Sequence, residues 1–377
     1  MEQKKVLFVA TIASHIKGFH EPYLKLFKEK GYKTYVAANW NLKKTDKINY
    51  CDKICELSIQ RSPYSLKNIK AIRQLKKIIE KEQFDIIHCH TPMGSVVTRL
   101  AAKKARKKYG TRVIYTAHGF HFYKGAPKKN WLLFYPIEKY LSKYTDDIIT
   151  INKEDYALAS KKFKTKVHYI PGVGINIEKF DIKMINNDKE KLRKSLGLEK
   201  NDFILTCVAR LDKNKNQGFL INVMERLVKE YQNIHLLLAG RDELNGYYQA
   251  IVNNKKLEKK IHFLGNVDDV PKLLSITNII LSASQREGLP VNVMEAFASG
   301  LPVVALECRG MKDLIQNEKN GYIIENNDDS EKKFCESISY LYNNPDVITE
   351  IKKNNLKCIK EFEINKLIKT YEQVYFK

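Results

Sequence analysis

The chain has 377 residues, 44% of them apolar, which suits two domains with real cores and excludes a disordered segment. Its net charge is +23, unevenly placed: residues 1–180 hold 36 Lys and Arg against 15 Asp and Glu, and residues 181–377 hold 30 against 28. A basic half beside a near-neutral one calls for an anionic partner: a nucleic acid, a membrane surface or a phosphorylated substrate.

In chain order, Val6–Ala10 follows Lys4 and Lys5 and is ended by Ser14, His15 and Lys17. It is too short for a signal sequence and reads as a buried strand. Further strands are predicted at Thr34–Ala38, Ile54–Ser58, Asp85–Cys89, Val113–Thr116, Asp147–Thr150 and Val167–Ile170. Between them, Leu66–Glu82 reads as a helix, with Leu66, Ile69, Ile72, Leu75, Ile78 and Ile79 at helical spacing. Pro171-Gly172-Val173-Gly174 breaks the pattern, and the polar stretch to about Lys200 reads as an inter-domain linker with a short helix. A second series follows at Phe203–Val208, Ile234–Ala239, Ile261–Leu264, Ile279–Ser282, Pro302–Ala305 and Gly321–Ile324, and then a mostly helical tail, Glu331–Tyr375. Alternating strands and helices predict an α/β protein with two Rossmann-like domains, 1–172 and 195–360, and a C-terminal helix over 361–377 packing back on the first. In such a pair the carboxyl ends of the strands are expected to face one another across a cleft. No run approaches the ~20 apolar residues of a membrane span, so a cytoplasmic protein is expected. The seven cysteines show no zinc spacing.

The most specific stretch runs from Ser284 to Val304. A strand ends near Ser282, a turn Gly288-Leu289-Pro290-Val291 follows, and a helix begins near Pro290. Amides at such a helix start favour phosphate. Glu287 before the turn and Glu295 within the helix suit sugar hydroxyls, one on the donor hexose and the other on the ribose.

Two glutamates with seven residues between them resemble the signature of the retaining glycosyltransferases of family 4, of GT-B architecture. The resemblance extends over nearly the whole chain. Arg210 and Lys215, in Ala209-Arg-Leu-Asp-Lys-Asn-Lys215, are similar to the cation pair with which that family grips the donor diphosphate. Both follow the predicted strand Phe203–Val208, where cations stabilise a leaving diphosphate. Thr116-Ala-His118-Gly119, the run from Ala117 to Trp131 and the run Asp85–Pro92 look like bacterial exopolysaccharide and capsule transferases. The resemblance implies that His118 lies near the reacting sugar and that Glu287 acts with it. It implies donor contacts from Arg210, Lys215, Gly288, Leu289, Pro290, Val291 and Glu295.

The loop after the first strand, with Ser14, His15, Lys17 and Gly18, is assigned to the acceptor side. Many family members carry a Gly-rich loop there; this chain has only Gly18, so Ser14 and Lys17 are expected to take its place. His20, His88, His90 and His121 read as structural or acceptor-side residues. The chain has no Asp-x-Asp triplet, so no metal or other cofactor is expected, the protein's own cations serving instead. The activity expected is transfer of a hexose or N-acetylhexosamine from a nucleotide sugar, with a UDP-sugar the expected donor, to a lipid-linked saccharide. The basic half is expected to dock on an anionic membrane from the cytoplasmic side, through Arg99–Lys108 and Phe120–Tyr135. The alternatives are a UDP-sugar 2-epimerase of the same architecture and a non-catalytic glycan- or nucleotide-binding protein. No nucleic-acid partner is expected, since charge is its only support.

Overall fold

The computed structural model describes residues 3–43, 45–181 and 189–377. They form two compact units, one of residues 1–174 with 364–377 and the other of residues 175–363.

The first unit carries a seven-stranded parallel sheet: β1 (Lys5–Ile12), β2 (Lys33–Asn39), β3 (Lys53–Glu56), β4 (Ile86–His90), β5 (Arg112–Ala117), β6 (Asp147–Thr150) and β7 (Lys166–Tyr169), in the order β3-β2-β1-β4-β5-β6-β7. The inner strands are buried on both faces, which is why they read as unbroken apolar runs. Leu7 and Val9 point into one core with Ala71, Leu75 and Ile79 of the helix Lys67–Glu82. Val6, Phe8 and Ala10 point into the other, with Tyr23 and Phe27 of the helix Glu21–Glu29 and Leu367, Tyr371, Val374 and Tyr375 of the helix Ile364–Tyr375.

The second unit holds a six-stranded parallel sheet: β8 (Phe203–Val208), β9 (Ile234–Ala239), β10 (Ile261–Gly265), β11 (Ile279–Ser282), β12 (Val303–Leu306) and β13 (Tyr322–Ile324), in the order β10-β9-β8-β11-β12-β13. Gly240 follows β9 where an added Cβ would meet the Ala209 carbonyl oxygen at 1.9 Å, so only glycine lets the chain after β8 pass so close. The linker reading falls partly on residues 182–188, which lie outside the described residues. On either side of them are a single turn, Glu178–Phe180, and a short helix, Lys189–Ser195.

Some expectations need correction. The 66–82 helix starts at Lys67; Leu66 and Ile69 face solvent, and Asn68, Ala71, Leu75 and Ile79 take the core side. Arg99 is not a surface cation. It is fully buried, paired with Glu138 at 2.9 Å and stacked 4.3 Å from the Tyr115 ring centroid. Arg106 is bound to Asp146. Phe120 and Phe122 are core residues, so the apolar exposure of that region comes from Leu132, 78% exposed, and Leu133, Ile137 and Tyr140 on the helix Lys128–Ser142.

Candidate functional site

In each sheet the strand order reverses direction beside the first strand, between β1 and β4 and between β8 and β11. Open parallel sheets receive ligands at the carboxyl ends of strands at such a point. The residues singled out from the sequence collect at these two places.

In the second unit, β8 ends at Val208 and β11 at Ser282. Arg210 leaves β8 exposed, its guanidinium 3.2 Å from the Asp212 carboxylate. Lys215 lies on the same loop, where its amide donates to Asp212 Oδ1 at 2.9 Å. Its ammonium is 2.5 Å from Glu287 Oε1. The two β-loops are further tied by Asn214, whose carbonyl accepts from the Gln285 amide at 2.8 Å and whose side chain donates to the Arg286 carbonyl at 3.1 Å. Lys215 and Glu287 thus form one ion pair across the mouth of β8 and β11. An incoming diphosphate would compete with Glu287 for Lys215.

The helix of the glutamate motif spans Val291–Ala298. Pro290 is its N-cap rather than its first-turn residue, with φ −75 and ψ 115. The first intrahelical bond is from the Met294 amide to the Pro290 carbonyl, so by helix geometry the amides before it have no acceptor in the helix. Gly288 is held from behind: a Cβ on Gly310 would lie 2.3 Å from the Gly288 carbonyl oxygen. Beside Gly310, the mostly buried Arg309 donates from Nε to the Glu287 carbonyl at 3.4 Å. Arg309 is a cation of this site that no spacing in the sequence marks. Glu295 is half-buried, and burial pushes its carboxyl up to about 7, opposed only by the charge of Lys179. It is a weak acid that titrates near neutrality, unlike an ordinary surface glutamate.

In the first unit the chain leaves β1 directly into a helix, Ala13–Phe19, without a glycine-rich loop. Gly18 is exposed, and a Cβ there would touch nothing within 4 Å, so no close approach requires it. Ser14 is bonded to the Asn41 side chain and Lys17 to Asp46 at 3.0 Å, so a ligand there would compete with these partners. The glycine that permits close approach is Gly94, in the helix Pro92–Tyr109: a Cβ there would lie 2.9 Å from the Thr11 amide nitrogen. Thr91, which starts that turn, has a positive φ of 64, a conformation rare for a β-branched residue.

His118 follows β5 and is half-buried. It meets His15 from the first helix, His20 from the next turn and His90 from the end of β4. The nitrogens of His15 and His20 are 3.3 Å apart, and those of His90 and His118 are 3.4 Å apart. The His20 and His90 rings stack with centroids 3.7 Å apart. Burial pushes His15 down to about 4, and burial with the neighbouring imidazoles holds His20, His90 and His118 well below the usual range. All four rings are therefore neutral at neutral pH. His88, two residues back on β4, is also pushed down, to about 3, but both its nitrogens are committed, to Thr116 and to the Tyr375 hydroxyl, each at 2.8 Å. His121 lies outside this group, its ring against Phe134.

Two Rossmann-like units, one with paired cations and a helix start at its switch point and the other with a polar pocket of imidazoles, define the GT-B class of sugar-transferring enzyme. Comparison with known proteins gives the particular family. Residues 188–357 match the family described as "Glycosyl transferases group 1", and residues 5–152 match "Glycosyl transferase 4-like". The chain is 38% identical to "Putative glycosyltransferase EpsD" of Bacillus subtilis over 99% of its own length and 96% of that protein. It is 28% identical, over 70% of its length and 68% of the other, to the Escherichia coli "UDP-Gal:alpha-D-GlcNAc-diphosphoundecaprenol alpha-1,3-galactosyltransferase". Its fold is similar to that of Anabaena HepE, solved in complex with UDP and glucose, with a TM-score of 0.78 at 17% identity, covering 98% of this chain and 99% of that one. The chain belongs to the group 1 glycosyltransferases, with a family 4-like N-terminal half, and is an enzyme of that family.

Proposed function

We propose that this enzyme transfers a hexose or N-acetylhexosamine, with retention of configuration and without a metal ion, from a UDP-sugar to a lipid-linked saccharide in exopolysaccharide or capsule synthesis. The observation that carries the reading is the Lys215–Glu287 pair beside Arg210 and the start of the 291–298 helix. Breaking the glycosidic bond leaves negative charge on the diphosphate. Arg210, Lys215 and the helix amides supply positive charge there without a metal. Displaced from Lys215, the Glu287 carboxylate is free to accept a sugar hydroxyl. Glu295 accepts the ribose hydroxyls, and His118, as a neutral ring, bonds a hydroxyl of the transferred sugar. The UDP bound by HepE and the diphosphoundecaprenol acceptor of the Escherichia coli relative support the two substrate classes.

A lipid-linked acceptor calls for a membrane surface. The helix Lys128–Ser142 exposes Leu132, Leu133, Ile137 and Tyr140, with Lys128, Lys129, Lys139 and Lys143 exposed around them. Lys103, Lys104, Lys107 and Lys108 of the helix Pro92–Tyr109 add to the charge. Apolar side chains ringed by lysine suit the interface of an anionic bilayer on the cytoplasmic side, each lysine contributing on the order of 1 kcal/mol. Among the described residues no helix is long and apolar enough to cross a membrane.

The test is incubation with a panel of UDP- and GDP-sugars and undecaprenyl-diphosphate saccharides, with the product's anomeric configuration read by NMR. A retained α-linkage from a UDP-sugar is expected; an inverted product or transfer only from GDP-sugars refutes the reading. Co-sedimentation should show binding to phosphatidylglycerol vesicles at low salt, lost at high salt and lost in Leu132→Asp. Equal binding to neutral vesicles refutes the docking surface.

A further inference from the structure

The histidine pocket at the carboxyl ends of β1, β4 and β5 has a second chemistry. We propose that His15, His20, His90 and His118 form a binding site for one transition-metal ion of the Zn²⁺ class. One ring nitrogen from each lies within 4.8 Å of the others. The two contacting pairs, at 3.3 and 3.4 Å, are longer than a good nitrogen hydrogen bond. They match the edge of a tetrahedron whose metal–nitrogen bonds are about 2.0–2.1 Å, which is about 3.3–3.4 Å.

A second observation is independent of these distances. His20 Nδ1 and His90 Nε2 are buried without a hydrogen-bond partner. Orphaned polar atoms in a core are costly. Each orphan is the nitrogen opposite the one in contact, His20 Nε2 being turned to His15 and His90 Nδ1 to His118, so no other group fixes the tautomer and each ring is free to carry its proton on the orphan and present the contacting lone pair to an ion. His88 is not a fifth ligand, because Thr116 and Tyr375 hold both its nitrogens. His15 and His118 are partly buried at the rim, while His20 and His90 are buried beneath them above the Phe8 ring. The widest separation, up to 4.8 Å, must close by up to about 1.5 Å to reach regular tetrahedral geometry, a shift that side-chain rotation can supply.

The donor set selects the ion. Four neutral imidazoles with no carboxylate suit Zn²⁺, Co²⁺, Ni²⁺ and Cu²⁺ and discriminate against Mg²⁺ and Ca²⁺, which require oxygen ligands. The site is therefore separate from any metal requirement of a diphosphate. Its consequence for catalysis rests on the reading of His118 as a sugar-contacting residue: an ion bound there takes the His118 lone pair, so the ion inhibits and the metal-free enzyme is the active form.

The experiment uses the full chain, stripped with EDTA and dialysed. Titration with Co²⁺ is expected to give one equivalent bound, with the intense visible absorption of four-coordinate cobalt, displaced by Zn²⁺ and unaffected by excess Mg²⁺. His15→Asn and His118→Asn, both at rim positions, should each weaken binding by roughly tenfold or more. The double variant His235→Gln/His262→Gln, which removes the imidazole pair of the second unit at 3.0 Å, should leave binding unchanged. Absence of binding, a weak six-coordinate spectrum, or loss of binding in the 235/262 variant overturns the site. The unmutated chain's spectrum decides the question even where a variant fails to fold. Binding with unaltered transferase activity leaves the site standing and refutes the role of His118 in the reaction.

Discussion

Glu295 gives the sharpest test of the donor site, because its carboxyl is raised to about 7 by burial. On the proposed reading a ribose hydroxyl donates to the ionised carboxylate, so donor binding should favour the charged form and release a proton. At about pH 6 a carboxyl of that acidity is ionised in roughly one molecule in ten, and at about pH 8 in roughly nine of ten. The apparent affinity for a UDP-sugar should therefore rise about tenfold across that interval, equivalent to about 1.4 kcal/mol. Partial contact of Glu295 with water reduces this toward threefold. The UDP-sugar is the right probe, since its diphosphate has no ionisation in the interval, whereas UDP has one. Calorimetry in buffers of differing ionisation enthalpy would count the released proton directly. Glu295→Gln should flatten the pH profile and abolish proton release. The stability effect has a definite sign: a raised acid pKa stabilises the ligand-free fold below the ordinary glutamate pKa, and that contribution is lost as pH rises through about 7. The variant should thus gain melting temperature over the wild type at about pH 8. A pH-independent wild-type affinity, or the same slope in Glu295→Gln, refutes the assignment.

Arg210→Ala should weaken UDP-sugar binding by about tenfold or more, as expected for a charge-assisted contact, and calorimetry checks it. Transferase activity should survive EDTA in full; loss of activity restored by Mg²⁺ or Mn²⁺ would refute the metal-free reading. Glu138→Ala leaves the buried Arg99 uncompensated and should cost about 3–5 kcal/mol in urea unfolding. Gly240→Ala places a methyl 1.9 Å from a backbone oxygen and should lower stability by on the order of 3 kcal/mol, measured the same way.

The strands were legible because both sheets are covered on both faces, so each inner strand is an apolar run bounded by polar turns. The 66–82 helix shows the limit of periodicity. Its apolar positions cover more than one face, and only tertiary contact decides that Leu75 is covered while Ile69 is not. The second-unit site was legible because its members lie on two short loops with characteristic spacing. Arg309 was not, since it arrives from a different helix. The histidine pocket was not legible either. His15, His20, His90 and His118 are spread over about a hundred residues and meet only because β1, β4 and β5 are adjacent. The charge of the first half misled in detail: Arg99 and Arg106 are consumed by internal pairs, which composition cannot distinguish from solvated cations.

The membership of the last helix in the first unit has a consequence for biosynthesis. One face of the first sheet is closed by Leu367, Tyr371, Val374 and Tyr375, which bury about 6–12 kcal/mol of side-chain transfer energy, comparable to the whole stability of a domain. During translation that face stays open until residues 364–377 have been made. Residues 175–363, a continuous segment, have by then all been synthesised. The half made first is thus the half finished last, and its exposed apolar face is a natural client for a chaperone at the ribosome. A stop codon at Ile364 would leave one face of the first sheet without Leu367, Tyr371, Val374 and Tyr375, while the core on its other face would still be complete.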